Sequence, residues 1–207
     1  MAGSAKQNVK TIYKIGAFLA FLMLGYLGIR SYRLSVEQLK TNGCINEIGD
    51  LVANIQNAYL SQTSYKGLEY KTAVAMKLIP QKMFKEGFKE AVNSYLGGID
   101  LYQSSLNAED DYKAFEVSFQ GLSSIGCVNL MRMPWDEGQN IAFIAVGGYG
   151  SATPSGVLDL ILSDTPQSAI KKKNIFKSSE VRLVDIEKIE EVCNCPKDTC
   201  TVVWKFR

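Results

Sequence analysis

The sequence has 207 residues, with 23 Lys and Arg against 21 Asp and Glu, and it contains no histidine. This balance lacks the clustered basic excess that phosphate binding requires, so we expect no nucleic-acid partner. The absence of histidine excludes Ser-His-Asp and Cys-His nucleophiles and His-ligated zinc. The length suits one membrane-sized helix and one globular domain of ~150 residues.

The first predicted element is a helix whose residues 15–29 carry no charge. Lys14 and Arg30 flank this run, and both side chains can reach the membrane interface while their methylene groups stay in hydrocarbon. With its flanks the segment is long enough to cross a bilayer, so we predict a single-pass transmembrane stem over residues 11–32. The stem residues that we single out are Ile15, Gly16, Phe18, Ala20, Gly25, Gly28 and Ile29. The small ones permit close approach of a second helix.

A cleaved signal peptide is the alternative for this segment, because it also combines a basic start with an apolar middle. The sequence YLGIRSYRLS that follows offers no A-x-A site and contains two arginines, which favours a retained stem. Basic residues on the two sides nearly balance, so charge alone does not set the orientation. Clustered cysteines favour disulfides, which form in oxidising compartments. We therefore predict a cytoplasmic basic tail, residues 1–14, and a body on the other side of the membrane.

The helical pattern continues beyond the stem to about Ser61. Apolar residues recur mostly on one face of this segment, and no proline interrupts it. The dipeptide Asn42-Gly43 predicts a weak point or kink. We predict a globular domain over residues 33–207 that includes an amphipathic helix over residues 33–61.

The rest of the body contains short helices and strands in irregular order. We predict helices over residues 68–79, 123–133 and 178–194, and strands over residues 114–122, 140–148, 156–163 and 199–206. The first of these strands alternates apolar and polar residues, which predicts a half-buried strand with Glu116, Ser118 and Gln120 on its polar side. A long helix followed by short helices and non-adjacent strands predicts an α+β fold with an antiparallel sheet.

The stretch LVANIQNAYLSQTSYKGLEYKTAVAMKLIPQKMF, which begins at Leu51, resembles the segment after the stem of type IVb pilins. The matching positions are Ile55, Ala58, Tyr59, Gln62, Tyr65, Gly67, Leu68, Ala73, Leu78, Ile79, Pro80 and Met83. Residues 91–105, 115–130 and 189–206 are similar to later strands, a Cys-bearing helix and the closing strand of that family. The resemblance covers most of residues 31–207 and implies a pilin-like fold, in which the long N-terminal helix packs on the sheet.

The resemblance also implies a disulfide between Cys127 and Cys193, which fastens the C-terminal region to the body. A second disulfide between Cys195 and Cys200 fits the turn-like Pro-x-Asp sequence in between, although Cys193 and Cys195 could exchange roles. Zinc binding by these four cysteines is the alternative, but their spacing lacks paired C-x₂-C motifs. For Cys44 we favour a buried, reduced thiol over a bond to a neighbouring subunit.

The N-terminus departs from the family pattern. Precursors of the family carry a glycine that a dedicated peptidase cuts, then a hydrophobic residue, and a glutamate five positions beyond the cut. Here Gly3 is followed by SAKQN, Gly16 is followed by AFLAF, and the first acidic residue is Glu37. Burial of an uncut basic tail in a filament core would cost several kcal/mol per ion. In a subunit retained in the bilayer the tail stays in cytoplasmic water.

We expect no enzymatic activity, because the sequence contains no catalytic constellation, and we expect no cofactor and no metal. The glycine-rich residues 147–156 lack the Lys-Ser/Thr ending of a P-loop and indicate a surface loop. The expected role is structural: a subunit of the bacterial inner membrane whose body lies in the periplasm or in a surface filament.

The expected partners are further copies of the chain or other pilin-like subunits, the lipid bilayer, and pilus or secretion machinery. One alternative is a pilin-like envelope component that never enters a filament. A second is a membrane-anchored extracytoplasmic binding or adhesion module, which recognises a ligand through its glycine-rich loop and disulfide region and does not polymerise.

Overall fold

The computed structural model describes residues 3–105, 112–133, 135, 141–148, 175–178, 186–195 and 199–207. The chain divides into two compact units, Met1–Leu39 and Lys40–Arg207. Helix α1, Gly3–Tyr59, contributes residues to both units. The further helices of the described residues are α2, Tyr70–Ala75; a 3₁₀ turn, Gln81–Met83; α3, Ser124–Met131; and α4, Ile186–Val192. The strands are β1, Ile99–Ser104; β2, Ala114–Leu122; β3, Ile141–Gly148; β4, Ile175–Ser178; and β5, Cys200–Phe206.

The described strands form one sheet in the order β1-β2-β5-β3-β4, and every neighbouring pair is antiparallel. The C-terminal strand β5 therefore lies in the middle, between β2 and β3. Cross-strand pairs on one face, such as Val117 with Trp204, place large apolar side chains side by side. The α1 residues in the same buried cluster are Cys44, Ile48, Leu51, Val52, Ile55 and Tyr59. The predicted α+β architecture, a long helix packed on an antiparallel sheet, is confirmed.

The predicted kink at Asn42-Gly43 is wrong. Helix α1 is uninterrupted at both residues. Gly43 instead contacts the side chain of Ser94, where an added Cβ atom would come within 2.2 Å of the Ser94 Oγ. The glycine therefore allows close packing of α1 against a loop of the body.

Helix α2 is shorter than the predicted helix over residues 68–79. It ends at Ala75, and Lys77 takes a left-handed backbone conformation with φ of 58°. The Leu78 amide then donates to the Ala73 carbonyl at 2.9 Å, which is the bond that closes a Schellman-type helix end. The chain thus leaves the helix before Pro80 and turns buried Leu78 inward.

Strand β2 is not the half-buried strand that its alternation predicts. Glu116 and Ser118, expected on an exposed face, are both buried. Polar partners on the neighbouring strands make the burial of Glu116 tolerable, since Ser104 donates to Glu116 and Lys205 forms an ion pair with it. Side chains with such partners can be buried at lower cost than unpaired ones.

The helix predicted over residues 123–133 and the strands predicted over residues 140–148 and 199–206 are confirmed by α3, β3 and β5. Part of the helix predicted over residues 178–194 is observed as α4, whereas Ser178 belongs to β4, a strand that was not predicted. The strand predicted over residues 156–163 lies outside the described residues.

Two adjacent glycines before β1 have different surroundings. A Cβ atom added to Gly97 would come within 1.7 Å of the Gln120 carbonyl oxygen, which belongs to the backbone of β2. A Cβ atom added to Gly98 would meet only the Gln120 side-chain oxygen, at 3.4 Å.

We therefore expect Gly97→Ala to lower the free energy of unfolding by about 2 kcal/mol or more, because the backbone of β2 must shift. Gly98→Ala is the matched control, and it should cost less than about 1 kcal/mol because the contacting side chain can move. Chemical denaturation of the two variants measures the difference. Equal losses at the two positions would contradict the packing shown by the structure.

Candidate functional site

The described large apolar side chains of the first unit are exposed. We define the stem surface as Phe18, Leu19, Phe21, Leu22, Met23, Leu24, Tyr26, Leu27 and Ile29, which are 50% to 74% exposed. They occupy most positions from residue 18 to residue 29 of α1, so these apolar side chains are distributed around all sides of the helix. Soluble monomers rarely expose apolar patches larger than a few hundred Å², and larger patches mark interaction sites. The stem surface is therefore the first candidate site.

The predicted small residues of the stem leave the helix open to close approach. Atoms added at the Cβ positions of Gly16, Gly25 and Gly28 would meet nothing within 4 Å. Ala20 is exposed between them, and so is Arg30 at the far end. The backbone of Lys14 and Ile15 belongs to α1, while their side chains lie outside the described part.

A search of the described residues finds no helix with both the length and the apolar character that a membrane crossing needs. The transmembrane stem over residues 11–32 stays a prediction.

The second unit has a loop, residues 93–97, that fastens the start of its α1 segment to the sheet; we call it the anchor loop. The Glu47 carboxylate accepts hydrogen bonds from the Ser94 amide and the Ser94 hydroxyl, both at 2.8 Å. The hydroxyl groups of Thr41 and Tyr95 lie 3.0 Å apart, at hydrogen-bond distance. Two successive loop residues, Ser94 and Tyr95, thus bond to α1 residues that lie about 1.7 turns apart.

Asn93 is fully buried and determines the shape of the anchor loop. Its Oδ1 accepts from the amides of Tyr95 at 2.8 Å and Gly97 at 3.2 Å. Its Nδ2 donates to the Gln120 carbonyl at 2.8 Å, which connects the loop to β2. The resemblance includes this segment as an entry to a strand, but it does not predict the bonds to α1; asparagine followed closely by two glycines is also a recognisable turn signal.

Burial sets the protonation of two α1 side chains beside the anchor loop. Burial raises the pKa of Glu47, while the Ser94 hydrogen bonds and the lysines Lys85 and Lys82 oppose the shift only in part. Burial, and secondly the charge of Glu47, raises the pKa of the free Cys44 thiol to about 12. Cys44 is therefore a protonated, unreactive thiol inside the body.

The other four cysteines form two disulfides, and three of these cysteines lie within residues 193–200. Cys127 of α3 is bonded to Cys193, which directly follows α4, with 5.7 Å between the Cα atoms. Cys195 is bonded to Cys200, the first residue of β5, with 5.3 Å between the Cα atoms. The alternative pairing with Cys193 and Cys195 exchanged is not observed. Both disulfides thus involve the short segment that leads into β5, the strand at the centre of the sheet.

A buried ion pair lies on the second face of the sheet. The Lys205 Nζ lies 3.5 Å from the Glu116 carboxylate, and each of the two side chains is only 2% exposed. Burial raises the pKa of Glu116, and the neighbouring Lys205 opposes this shift. The sequence analysis did not predict this pair, although a single charge of opposite sign in each of two otherwise uncharged strands is a usable signal for a cross-strand pair.

Two aromatic side chains complete the core near α3. Trp135, whose position the sequence leaves undecided, is buried, and its indole nitrogen donates to the Leu130 carbonyl at 2.7 Å. Its ring lies 5.6 Å from that of Trp204 in a T-shaped arrangement. Of the glycine-rich residues, Gly147 and Gly148 end β3, and the remainder lies outside the described residues.

A family model described as PilS N terminal matches residues 38–206. The chain belongs to the PilS N-terminal family. No curated protein matches this PilS-family chain. Among solved structures, the chain is similar to TcpA, a type IV pilin from Vibrio cholerae El Tor biotype, with 18% sequence identity and a TM-score of 0.56. The match covers 82% of this chain and 99% of the TcpA chain, and it concerns the fold. By family and fold, this is a type IV pilin-like protein.

The two disulfides of this PilS-family chain should differ in their contribution to stability. They join residues 66 and 5 positions apart, and the chain-entropy model gives about 4 and about 2 kcal/mol for loops of those lengths. We expect the double variant Cys127→Ala/Cys193→Ala to lose about twice the unfolding free energy lost by Cys195→Ala/Cys200→Ala. Denaturant unfolding under oxidising conditions measures the unfolding free energy of both variants. A larger loss for Cys195→Ala/Cys200→Ala would contradict the dependence on loop length.

Glu47 should make stability fall as pH rises. Because burial raises the pKa of this acid in the folded state, the unfolded chain releases its proton first as pH increases above about 4.5, the ordinary value. Glu47→Gln removes this dependence, so the variant should gain stability relative to wild type as pH rises above about 4.5.

Ser94→Ala is the matched control for Glu47. It removes a hydroxyl that favours the charged carboxylate, so the pH dependence of unfolding should become steeper than in wild type. Unfolding free energies are measured across the same pH range for all three proteins. Parallel pH profiles of wild type and Glu47→Gln would show that Glu47 is not the group responsible.

Proposed function

We propose that this chain is a structural pilin-type subunit that is anchored in the bacterial inner membrane by residues 11–32. Its stem helix then joins those of other subunits in a pilus or in a pilus-like secretion structure of the envelope. The observation that carries the proposal is the stem surface, whose nine large apolar side chains are half exposed or more. Each such side chain gains about 1.5–3 kcal/mol when it is fully removed from water. A bilayer or a bundle of stem helices supplies that environment.

The orientation in this proposal follows from the cysteines. Disulfides persist in oxidising compartments, so the body with its two cross-links lies in the periplasm or in a surface filament. Residues 1–14 then form the cytoplasmic tail, and Lys14 and Arg30 lie near the two interfaces.

Lateral contact between stems uses the open positions at Gly25 and Gly28. Without a side chain, these residues allow the backbone of a second helix to approach closely, and dispersion contacts then favour association in lipid. The partners are further copies or other pilin-like subunits, together with pilus or secretion machinery. We propose no enzymatic role, since Cys44 is buried and protonated and the remaining cysteines are disulfide-bonded.

We expect the double variant Gly25→Leu/Gly28→Leu to insert into the membrane as wild type does but to associate less. Leucine adds apolar surface, which favours insertion, and adds bulk, which separates the helices. Carbonate extraction of full-length protein from cell membranes measures insertion, and chemical cross-linking with filament sedimentation measures assembly. The expected loss of cross-linked oligomer is several-fold.

Met23→Leu is the matched control, because it changes an exposed stem residue of similar volume and should leave both readouts unchanged. Release of the wild-type chain by carbonate would contradict the anchored stem. A wild-type chain that inserts but stays monomeric would favour the anchored binding module over an assembling subunit.

A further inference from the structure

The anchor loop presents an apolar tip to solvent. Leu96, at its apex, is 54% exposed, although most leucines among the described residues of the second unit are buried. Ile125, at the start of α3, is 47% exposed and adjoins Gly126, whose added Cβ atom would come within 2.3 Å of the Tyr95 hydroxyl. Leu96 thus directly follows Tyr95 in the chain, and Ile125 directly precedes the glycine that lies at the Tyr95 hydroxyl. We call Tyr95, Leu96 and Ile125, together with Lys40 and Lys85, the basal patch.

The exposed position of Leu96 is imposed by the loop. Its φ of 65° lies in the left-handed region, which costs a residue other than glycine about 1–2 kcal/mol. The conformation is maintained because Asn93 binds the amides on either side, those of Tyr95 and Gly97. Strained residues that the surroundings enforce are concentrated at functional sites. A glycine would relieve this strain, so the exposed leucine side chain is the feature of this position that we consider further.

Two lysines and one glutamate contact the anchor loop; the lysines are half-buried and the glutamate is buried. The Lys40 ammonium lies 5.3 Å from the centre of the Tyr95 ring, and the Lys85 ammonium donates to the Asn93 carbonyl at 2.8 Å. Both lysines are half-buried, as is expected of side chains whose stems cover apolar surface. The Glu47 carboxylate, by contrast, is buried behind Ser94. The basal patch therefore combines an apolar tip with cations.

The basal patch lies at the end of the second unit that begins with Lys40. Lys40 lies eight positions after Tyr32 in the sequence, and eight residues span at most about 29 Å even when fully extended. If residues 11–32 lie in a bilayer, this end of the body is tethered within reach of the headgroups. The other end of the same α1 segment, at Tyr59, is about 29 Å away along the helix.

We propose that the basal patch is a membrane-contact surface, in which Leu96 and Ile125 enter the headgroup region and Lys40 and Lys85 bind anionic headgroups. This inference rests on the proposed function, because the stem brings the patch to the bilayer. Apolar side chains next to lysines are the combination that binds anionic membrane surfaces. Contact fixes the body against the membrane before assembly, so that the bodies of neighbouring subunits are presented in one orientation.

The test uses the full chain in vesicles of phosphatidylcholine, with and without phosphatidylglycerol. An environment-sensitive fluorophore is attached at Leu96→Cys, and the vesicles carry a quencher on the lipid headgroups. Leu60→Cys is the matched control, because Leu60 is 84% exposed and directly follows the distant end of α1. Cys44 does not compete for the label, since its thiol is buried and protonated.

We expect the label at position 96 to be quenched several-fold more than the label at position 60, and more strongly with phosphatidylglycerol. Lys40→Gln/Lys85→Gln in the labelled chain should abolish the added effect of phosphatidylglycerol. Equal quenching at positions 96 and 60, in protein that floats with the vesicles, overturns the membrane contact and leaves the anchored stem intact. Protein that does not float with the vesicles shows instead that the proposed function itself is wrong.

A second copy of the chain is the other occupant to consider for the basal patch. To test for it, unlabelled protein is added to the vesicles at a constant lipid concentration and without the quencher. If a second copy covers the patch, the emission wavelength of the label at position 96 shifts further with each addition. That result overturns the membrane contact in favour of a subunit interface.

Discussion

The structure depends on the burial of one face of α1 against the sheet. Cys44, Ile48, Leu51 and Ile55 repeat at helical spacing and are each at most 1% exposed. The anchor loop reinforces this contact with polar bonds, because Glu47 and Thr41 reach Ser94 and Tyr95 from the same helix. Within the second unit, these few residues determine where the sheet lies relative to the α1 segment Lys40–Tyr59.

The helix and the sheet could be predicted from the sequence because their signals are periodic. Helical spacing identified the buried face of α1, and β-branched and aromatic residues identified β5. The disulfide between Cys127 and Cys193 came from the resemblance alone, since spacing does not determine connectivity. Strand order was beyond reach, because nothing local in β5 shows that it lies between β2 and β3.

The features that the sequence did not reveal are set by tertiary partners. Gly43 gives the local signal of a helix break, but the proximity of Ser94 makes it a packing residue in an intact helix. Glu116 alternates like a solvent-facing residue, but Lys205 and Ser104 on neighbouring strands allow its burial. Lys77 ends α2 early through a left-handed turn that its own side chain does not favour. At Gly43 and Glu116 a residue distant in sequence decides between two local possibilities, whereas at Lys77 the hydrogen bonds of the helix end do so.

The central place of β5 has a consequence for folding. The strand comprises Cys200–Phe206, and it supplies the partners of both β2 and β3. The two halves of the sheet cannot join until this strand is in place between them. Pairings between segments so remote in sequence form slowly. Closure of the sheet is therefore a late event, which depends on the entry of one strand at its centre.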